Sequence, residues 1–215
     1  MEQQVRECFE KLAQQDWIRQ TERWWLKFAF HYTDIRNAAQ ILCDGCLYSR
    51  EQAQNLGKIV VSSGSREVLS ATDTSILDSV RLYFRPKTPT QFYAEGVHSL
   101  ATLACSKFSD AHCPVPVFFL FDLAKVLTLP NSQFSERGLG SHEYRLSNTM
   151  QELQALPWKQ IYHNDRLNPE MAREIVARRN AEIIVPKQLD LGALQYIYCR
   201  SNAEKETLLH LLPEH

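Results

Sequence analysis

Arg178-Arg179-Asn180-Ala181-Glu182-Ile183-Ile184-Val185-Pro186 reads as a short buried strand, entered from a basic segment and closed by a proline. The run from Ala181 to Val185 is apolar and ends in three β-branched residues, while Pro186 cannot donate to a strand ladder and marks its end. One charge interrupts it. A carboxylate at Glu182 must find a partner or face a cleft, because an isolated buried charge is costly. Alternation toward a solvent face is the other reading, and the strand alone leaves both open.

Upstream, Asn168-Pro169 supplies an N-cap and a proline at the first helical position, and Met171, Ile175 and Val176 carry a helix toward Arg179. Thr149-Met150-Gln151-Glu152 is a capping-box pattern that opens a short helix ended by Pro157. Val115 to Phe121 is a continuous apolar run of strand length, expected near the centre of a sheet. Arg81-Leu82-Tyr83-Phe84 is a shorter strand stopped by Pro86 and Pro89, and helical character returns near Ala94 to Cys105. Residues 57–78, with Ser62-Ser63-Gly64-Ser65, predict an irregular, partly mobile connection.

Nearer the N-terminus, the aromatic stretch Trp24 to Tyr32 predicts a buried strand that delivers His31-Tyr32-Thr33 to its end. Asp34 to Leu42 then reads as a helix with Ile35, Ala38, Ala39 and Leu42 on one face and Gly45 as its stop. Residues 4–20 form an amphipathic opening helix through Val5, Cys8, Phe9 and Leu12. Leu194 to Cys199 is β-like, and Glu204 to Leu212 is a final helix. Strands and helices mix without βαβ alternation, which points to an α+β fold with a split, largely antiparallel core sheet.

With 215 residues and 44% hydrophobic content the chain is expected to form one domain, residues 1–215, on which the helix within residues 1–22 packs. A net charge of −1 argues against a protein that coats nucleic acid through a large Lys/Arg excess, and leaves room for a local basic groove. The start Met1-Glu2-Gln3-Gln4-Val5-Arg6 has no secretory pattern, and Val115 to Phe121 is too short to span a bilayer, so no membrane partner and a cytoplasmic location are expected. Six irregularly spaced cysteines fit reduced thiols. Cys43-Asp44-Gly45-Cys46, with Cys105, His112 and Cys113, is weighed as a zinc site and set below the reading of small apolar residues at a helix end. No metal is expected.

His31, Tyr83 and Glu182 are polar side chains in segments with strong strand signals. They have a joint use in NAD⁺ chemistry, where breaking the nicotinamide glycosidic bond develops positive charge on the ribose. A fixed carboxylate stabilises that charge, a histidine orients the ribose, and an aromatic face packs on nicotinamide.

In order along the chain, His31-Tyr32-Thr33 with Asn37, Ile41, Gly45 and Leu47, then Tyr83-Phe84-Arg85-Pro86-Lys87-Thr88-Pro89, resemble the DarT family of bacterial DNA ADP-ribosyltransferase toxins. The stretch Phe134-Ser135 through Tyr144 with Leu153 and Pro157-Trp158, and finally Arg178-Arg179-Asn180-Ala181-Glu182, continue the resemblance over about residues 28–192. It implies the ADP-ribosyltransferase fold shared with the poly(ADP-ribose) polymerases and NAD as co-substrate. It implies that His31 and Thr33 hold NAD⁺, that Tyr83 and Phe84 line its pocket, and that Glu182 is the essential acid with Arg50 beside cofactor and base. The acceptor implied is thymidine or guanosine in single-stranded DNA, with RNA or a protein side chain as alternatives and a macrodomain antitoxin as partner. Ser135-Glu136-Arg137-Gly138-Leu139-Gly140 and Thr90-Gln91-Phe92-Tyr93 depart from the family's usual residues there, as does Lys87 where arginine is common.

Lys87, Arg137 and Arg179 are the expected substrate contacts by charge, beside Arg81, Arg85, Arg166, Arg173 and Arg178, for which exposed helix charge is the competing use. Phe134 and Tyr144 are expected to stack an unpaired base, and Trp158 to belong to the core.

Overall fold

The structure, a computed structural model, describes residues 1–70, 72–96, 99, 101, 112–140 and 143–213. Its strands are β1 (Phe28–Asp34), β2 (Cys46–Tyr48), β3 (Ser79–Tyr83), β4 (Pro116–Asp122), β5 (Gln133–Ser135), β6 (Leu146–Ser147), β7 (Glu182–Pro186), β8 (Gln188–Asp190) and β9 (Leu194–Tyr198). Among the described residues the main sheet has the order β6-β5-β7-β3-β1-β4-β9, and β2 and β8 form a separate pair. The pairings are antiparallel. This is the mixed α+β fold with a split antiparallel sheet that the order of elements implies.

Period-two alternation sorts the two faces of the sheet. Leu82 lies opposite Ile183, and His31 and Ala29 lie opposite Phe119 and Phe121. On that face Leu82, Ile183, Ala29, Phe119 and Phe121 are wholly buried. The helix Glu2–Ala13 covers part of it, feeding Val5 and Phe9 into the same apolar cluster. Phe84 packs between Phe9, at 6.5 Å, and Trp158, at 5.1 Å between ring centres. Trp158 thus belongs to the core, anchored by its indole N–H donating to Leu153 O at 3.0 Å.

The helix Ile35–Asp44 ends at the predicted Gly45 stop, and Asp34, read as its first residue, is its N-cap. The Asp34 side chain accepts from the Arg36 amide at 3.0 Å, and Gly45 ends the helix at φ 64°, where an L side chain is strained. In the helix Met150–Ala155, Thr149 Oγ1 accepts from the Glu152 amide and donates to the Glu152 carboxylate, the reciprocal use expected of that pair.

Several boundaries differ from expectation for local reasons. The opening helix stops at Ala13, before the polar run Gln14-Gln15-Asp16. Residues Gln20–Lys27 form a 3-10 helix, so Trp24 to Lys27, read as the start of a strand, are helical instead. Trp24 and Phe28 have ring centres 6.2 Å apart, whereas four strand steps would separate them by roughly 13 Å. Aromatic density resembled strand composition, but a tight helical turn is what brings these rings together. Residues 66–70 and 74–77 are short helices within the expected irregular connection, with Ile76 buried.

β4 is flanked by β1 and β9, one position from the edge of the sheet. Pro89–Ala94 is a helix, and the helix expected over Ala94 to Cys105 falls largely outside the described residues, at 97, 98, 100 and 102–111. The Asn168-Pro169 start is a turn in which Asn168 Oδ1 accepts from the Glu170 amide, and the helix proper is Ala172–Arg178. Among the described residues no helix is long and apolar enough to cross a membrane.

Truncating Phe84 removes a ring packed on three sides. Phe84→Ala should destabilise the chain by about 3–5 kcal/mol, read from the midpoint of urea denaturation.

Candidate active site

β3 and β7 lie side by side with Tyr83 opposite Glu182 and Arg81 opposite Ile184. Because residues two apart share a face, Arg81, Tyr83 and Glu182 converge on the side opposite Leu82 and Ile183. Glu182 is only 1% exposed. Its carboxylate accepts from Arg81 Nε at 2.6 Å and Arg81 Nη2 at 2.7 Å, one oxygen each, and from the Leu139 amide at 2.9 Å. This is a bidentate, charge-assisted pair completed by a backbone donor, the arrangement that lets a carboxylate stay ionised away from water. Burial acts to lower the Arg81 pKa, but the charge and hydrogen bonds of Glu182 outweigh it and hold the guanidinium above its ordinary range.

Tyr83 is buried, and its phenol is raised by burial first and by the Glu182 charge second. Its ring stacks on Tyr32, with centres 6.0 Å apart. The first strand therefore brings Tyr32 to this face, while His31 turns toward Phe119. His31 Nδ1 lies 3.0 Å from Arg81 O. A carbonyl can only accept, so Nδ1 carries the proton and the neutral ring keeps Nε2 as an acceptor. Burial lowers the His31 pKa, opposed by the bond to the Arg81 carbonyl.

Thr33 shares the face of β1 with His31, away from Tyr83 and Glu182, and is held by Asn37. The Asn37 amide donates to Thr33 Oγ1 at 3.3 Å and to Val61 O at 2.8 Å, while its oxygen accepts from the amides of Val60 and Val61. Both ends of that side chain hold the 57–65 loop against the end of β1. Arg50 opens the helix Arg50–Asn55 and donates to Ser62 Oγ at 2.8 Å in the same loop, with its pKa lowered by burial. Gly64 in that loop lies against Arg50, since a Cβ there would lie 3.5 Å from Arg50 Nη1.

Other expected site residues lie elsewhere. Phe84 and Phe134 are core side chains: Phe84 points to the opposite face from Tyr83, and Phe134 sits in β5 against Ile183. Neither presents a ring face to a ligand. Arg137 bridges Glu143 at 3.0 Å and Glu174 at 3.2 Å, so its charge is used within the protein. Tyr144 donates to Asp73 and packs beside Ile76, Leu139 and Ile184. Arg179 donates to His163 O at 2.8 Å and Asp165 O at 2.9 Å, and with exposed Lys87 it lines a separate groove. Arg178 pairs with Glu136 and Glu174.

The residue that sequence reasoning assigned elsewhere is Arg81, read as a possible phosphate contact. Its parity with Tyr83 was the available signal: two residues before Tyr83 on one strand places it on the Glu182 face once β3 and β7 pair. Cys43 is exposed and Cys46 buried, and among the described residues no group of three or more His, Cys, Asp or Glu side chains could hold a metal ion. Cys105 lies outside the described residues.

Removing one partner of a buried ion pair leaves the other uncompensated. Arg81→Met and Glu182→Leu should each cost about 3–5 kcal/mol, and the double variant should regain most of it, measured as a denaturation double-mutant cycle. Costs that simply add would show the two groups to be uncoupled. For His31 the folded pKa is depressed. Above the ordinary value of 6.5 both states are neutral; as the pH falls through that value the unfolded chain takes up a proton that the folded chain resists, and stability is lost. His31→Gln should flatten the fall in stability between about pH 7 and about pH 5, leaving the part owed to His163, whose pKa burial also lowers.

The profile of the family described as "DarT: ssDNA thymidine ADP-ribosyltransferase, DarT" matches residues 30–215. No curated protein matches the sequence. Among solved structures, Thermus sp. 2.9 DarT in complex with NAD+ is similar at TM-score 0.65 and 20% identity, over 86% of this chain and 87% of that one. The same protein in complex with ADP-ribosylated ssDNA gives TM-score 0.69 and 19% identity over 86% and 87%. Thermosipho africanus DarTG in complex with ADP-ribose gives TM-score 0.64 and 13% identity over 86% of this chain and 46% of that one. The structural likenesses establish the fold, and the match over most of the length establishes the lineage: the chain belongs to the DarT family of ssDNA thymidine ADP-ribosyltransferases.

Proposed function

We propose that the chain, as a single ADP-ribosyltransferase unit, transfers ADP-ribose from NAD⁺ to a thymidine base of single-stranded DNA and releases nicotinamide. The observation that carries this reading is the buried Glu182 carboxylate, held by Arg81 and the Leu139 amide within the segment matched by the family. In the reaction the bond between the nicotinamide nitrogen and the ribose anomeric carbon breaks, and a base nitrogen forms a new bond to that carbon. The base loses its proton, so the products are ADP-ribosylated DNA, nicotinamide and a proton.

Glu182 faces the positive charge that develops on the ribose and stabilises it at short range, where the low local dielectric strengthens a fixed charge. Because Arg81 already orients both carboxylate oxygens, little reorganisation is needed as the charge appears. The family resemblance assigns His31 and Thr33 to NAD⁺; strand alternation sets both on the Phe119 face of β1, away from the face shared by Tyr83 and Glu182. Tyr83, stacked on Tyr32, supplies the aromatic wall for nicotinamide. Arg50, which among the described residues bonds to Ser62 Oγ and to no carboxylate, is available to steady the base as it loses its proton. The family resemblance adds toxicity to the host, cytoplasmic action and an antitoxin partner such as a macrodomain that removes ADP-ribose.

Incubation with NAD⁺ labelled in the adenosine moiety and a thymidine-containing oligodeoxynucleotide should transfer label to the DNA. Glu182→Ala should lower the rate at least about a thousandfold, as expected when a fixed transition-state charge is removed. Transfer at the wild-type rate by that variant would overturn the site assignment. Label that survives nuclease and is lost with protease would overturn the DNA acceptor.

A further inference from the structure

A groove of about 1010 Å³ runs beside the Glu182 site, bounded by the Gln20–Lys27 turn, the segment from Arg85 to Tyr93 and the end of β9. Phe30, the strand partner of Tyr83, lies in its lining with Phe118 and Leu120, so groove and site share one face of the sheet. Three large aromatic side chains on the groove are open to solvent: Trp24 is 42% exposed, Phe92 59% and Tyr198 55%. Exposed rings grouped on one concave surface mark a binding surface.

The polar lining is basic. Five cations, Arg19, Arg85, Lys87, Arg179 and Arg200, meet two carboxylates, Glu22 and Glu95. Arg19 pairs with Asp165, and Arg200 pairs with Glu95 and Glu204. Glu22 accepts from Asn164 at 2.7 Å. Arg85 and Arg179 are different. Arg85 is only 2% exposed and donates to Ile161 O at 3.0 Å, His163 O at 2.6 Å and Asn164 Oδ1 at 3.1 Å, all neutral, and its buried Nε has no hydrogen-bond partner. Arg179 likewise bonds to backbone carbonyls and the His163 ring. Burial and the neighbouring Arg179 press Arg85 down to about 10, the expected response of two cations held close together without a bonded anion. Exposed Lys87 adds a third charge next to them.

The geometry points to this groove as the track for the single-stranded DNA that flanks the modified thymidine, with bases stacking on Phe92, Tyr198 and Trp24 and phosphates drawn to Arg179 and Lys87, the buried Arg85 adding its charge beneath them. Rings beside cations are the composition of a single-strand channel, because every base has a face to stack and every nucleotide a phosphate to neutralise. The chain ties the groove to the site: Arg85 follows Tyr83 by two residues, Arg179 precedes Glu182 by three, and Thr90 is held through its amide and hydroxyl to Asn180 Oδ1. Phe134 and Tyr144, the rings otherwise expected to hold the strand, are packed or bonded within the protein.

This inference rests on the proposed DNA acceptor, and its test separates the two. Phe92→Ala/Tyr198→Ala and the wild-type protein are compared in ADP-ribose transfer to a thymidine oligodeoxynucleotide of about 15 nucleotides and to a trinucleotide, and in anisotropy of the labelled longer strand. The variant should lose about tenfold or more in kcat/KM and in affinity for the longer strand, while its rate on the trinucleotide stays at the wild-type value. Lys87→Ala should reduce the salt slope of longer-strand binding by about one phosphate contact. Equal losses on both lengths, or wild-type affinity for the longer strand, would overturn the groove assignment, as would tighter binding of an RNA or acidic peptide of matched length. Absence of transfer to any oligonucleotide by the wild type would overturn the acceptor, while anisotropy would still decide the groove.

Discussion

The Arg81 to Glu182 ion pair constrains the sheet as much as it defines the site. Two opposite charges on neighbouring strands satisfy each other only in one register, with Tyr83 opposite Glu182 and Arg81 opposite Ile184. A one-residue slip of β7 would turn Glu182 into the face filled by Leu82, Phe119 and Phe121, where no cation waits. Apolar alternation on the far face specifies the same register independently, through Leu82 and Ile183. The charge pair adds little net stability over an apolar pair of equal shape, because desolvation offsets most of its attraction. What it provides is an ionised, oriented carboxylate that folding alone puts in place.

The loop from Glu136 to Gly140 is fitted to that carboxylate. Its Leu139 amide is the third donor to Glu182, and Gly138 approaches so closely that a Cβ there would lie 2.9 Å from Asn180 Cβ. Only a residue without a side chain lets the amide reach. Arg137 and Arg178, held by Glu136, Glu143 and Glu174, pin the base of the loop to the helix Ala172–Arg178. Charges that a sequence reading assigns to nucleic acid are here consumed in holding the loop that touches the catalytic candidate.

Legibility in the sequence followed the range of the interactions. The helix stop at Gly45 and the cap at Thr149 were readable because each acts within four residues. Glu182 was readable because a carboxylate inside a β-branched run is locally inconsistent, and such inconsistencies gather at functional sites. Arg81 escaped because its partner lies 101 residues away and nothing local distinguishes it from other basic residues. Phe84 and Phe134 were misplaced for a related reason: motif neighbours of a site residue sit on the other face whenever the backbone is a strand. The turn Gln20–Lys27 was misread because aromatic density is shared by buried strands and by compact helical turns.

A net charge of −1 and a nucleic-acid acceptor are compatible once charge is counted by place. Most arginines near Glu182 face carboxylates, so they add nothing to the field outside. Arg85 and Arg179 are held largely by carbonyls, which accept their hydrogen bonds without cancelling their charge. Holding cations in this way confines the attraction for phosphate to the groove and spares the rest of the surface from indiscriminate binding. Affinity then depends on stacking against exposed rings together with a few phosphates, a balance that suits an unpaired strand, whose bases are free to stack, over a duplex, whose bases are not.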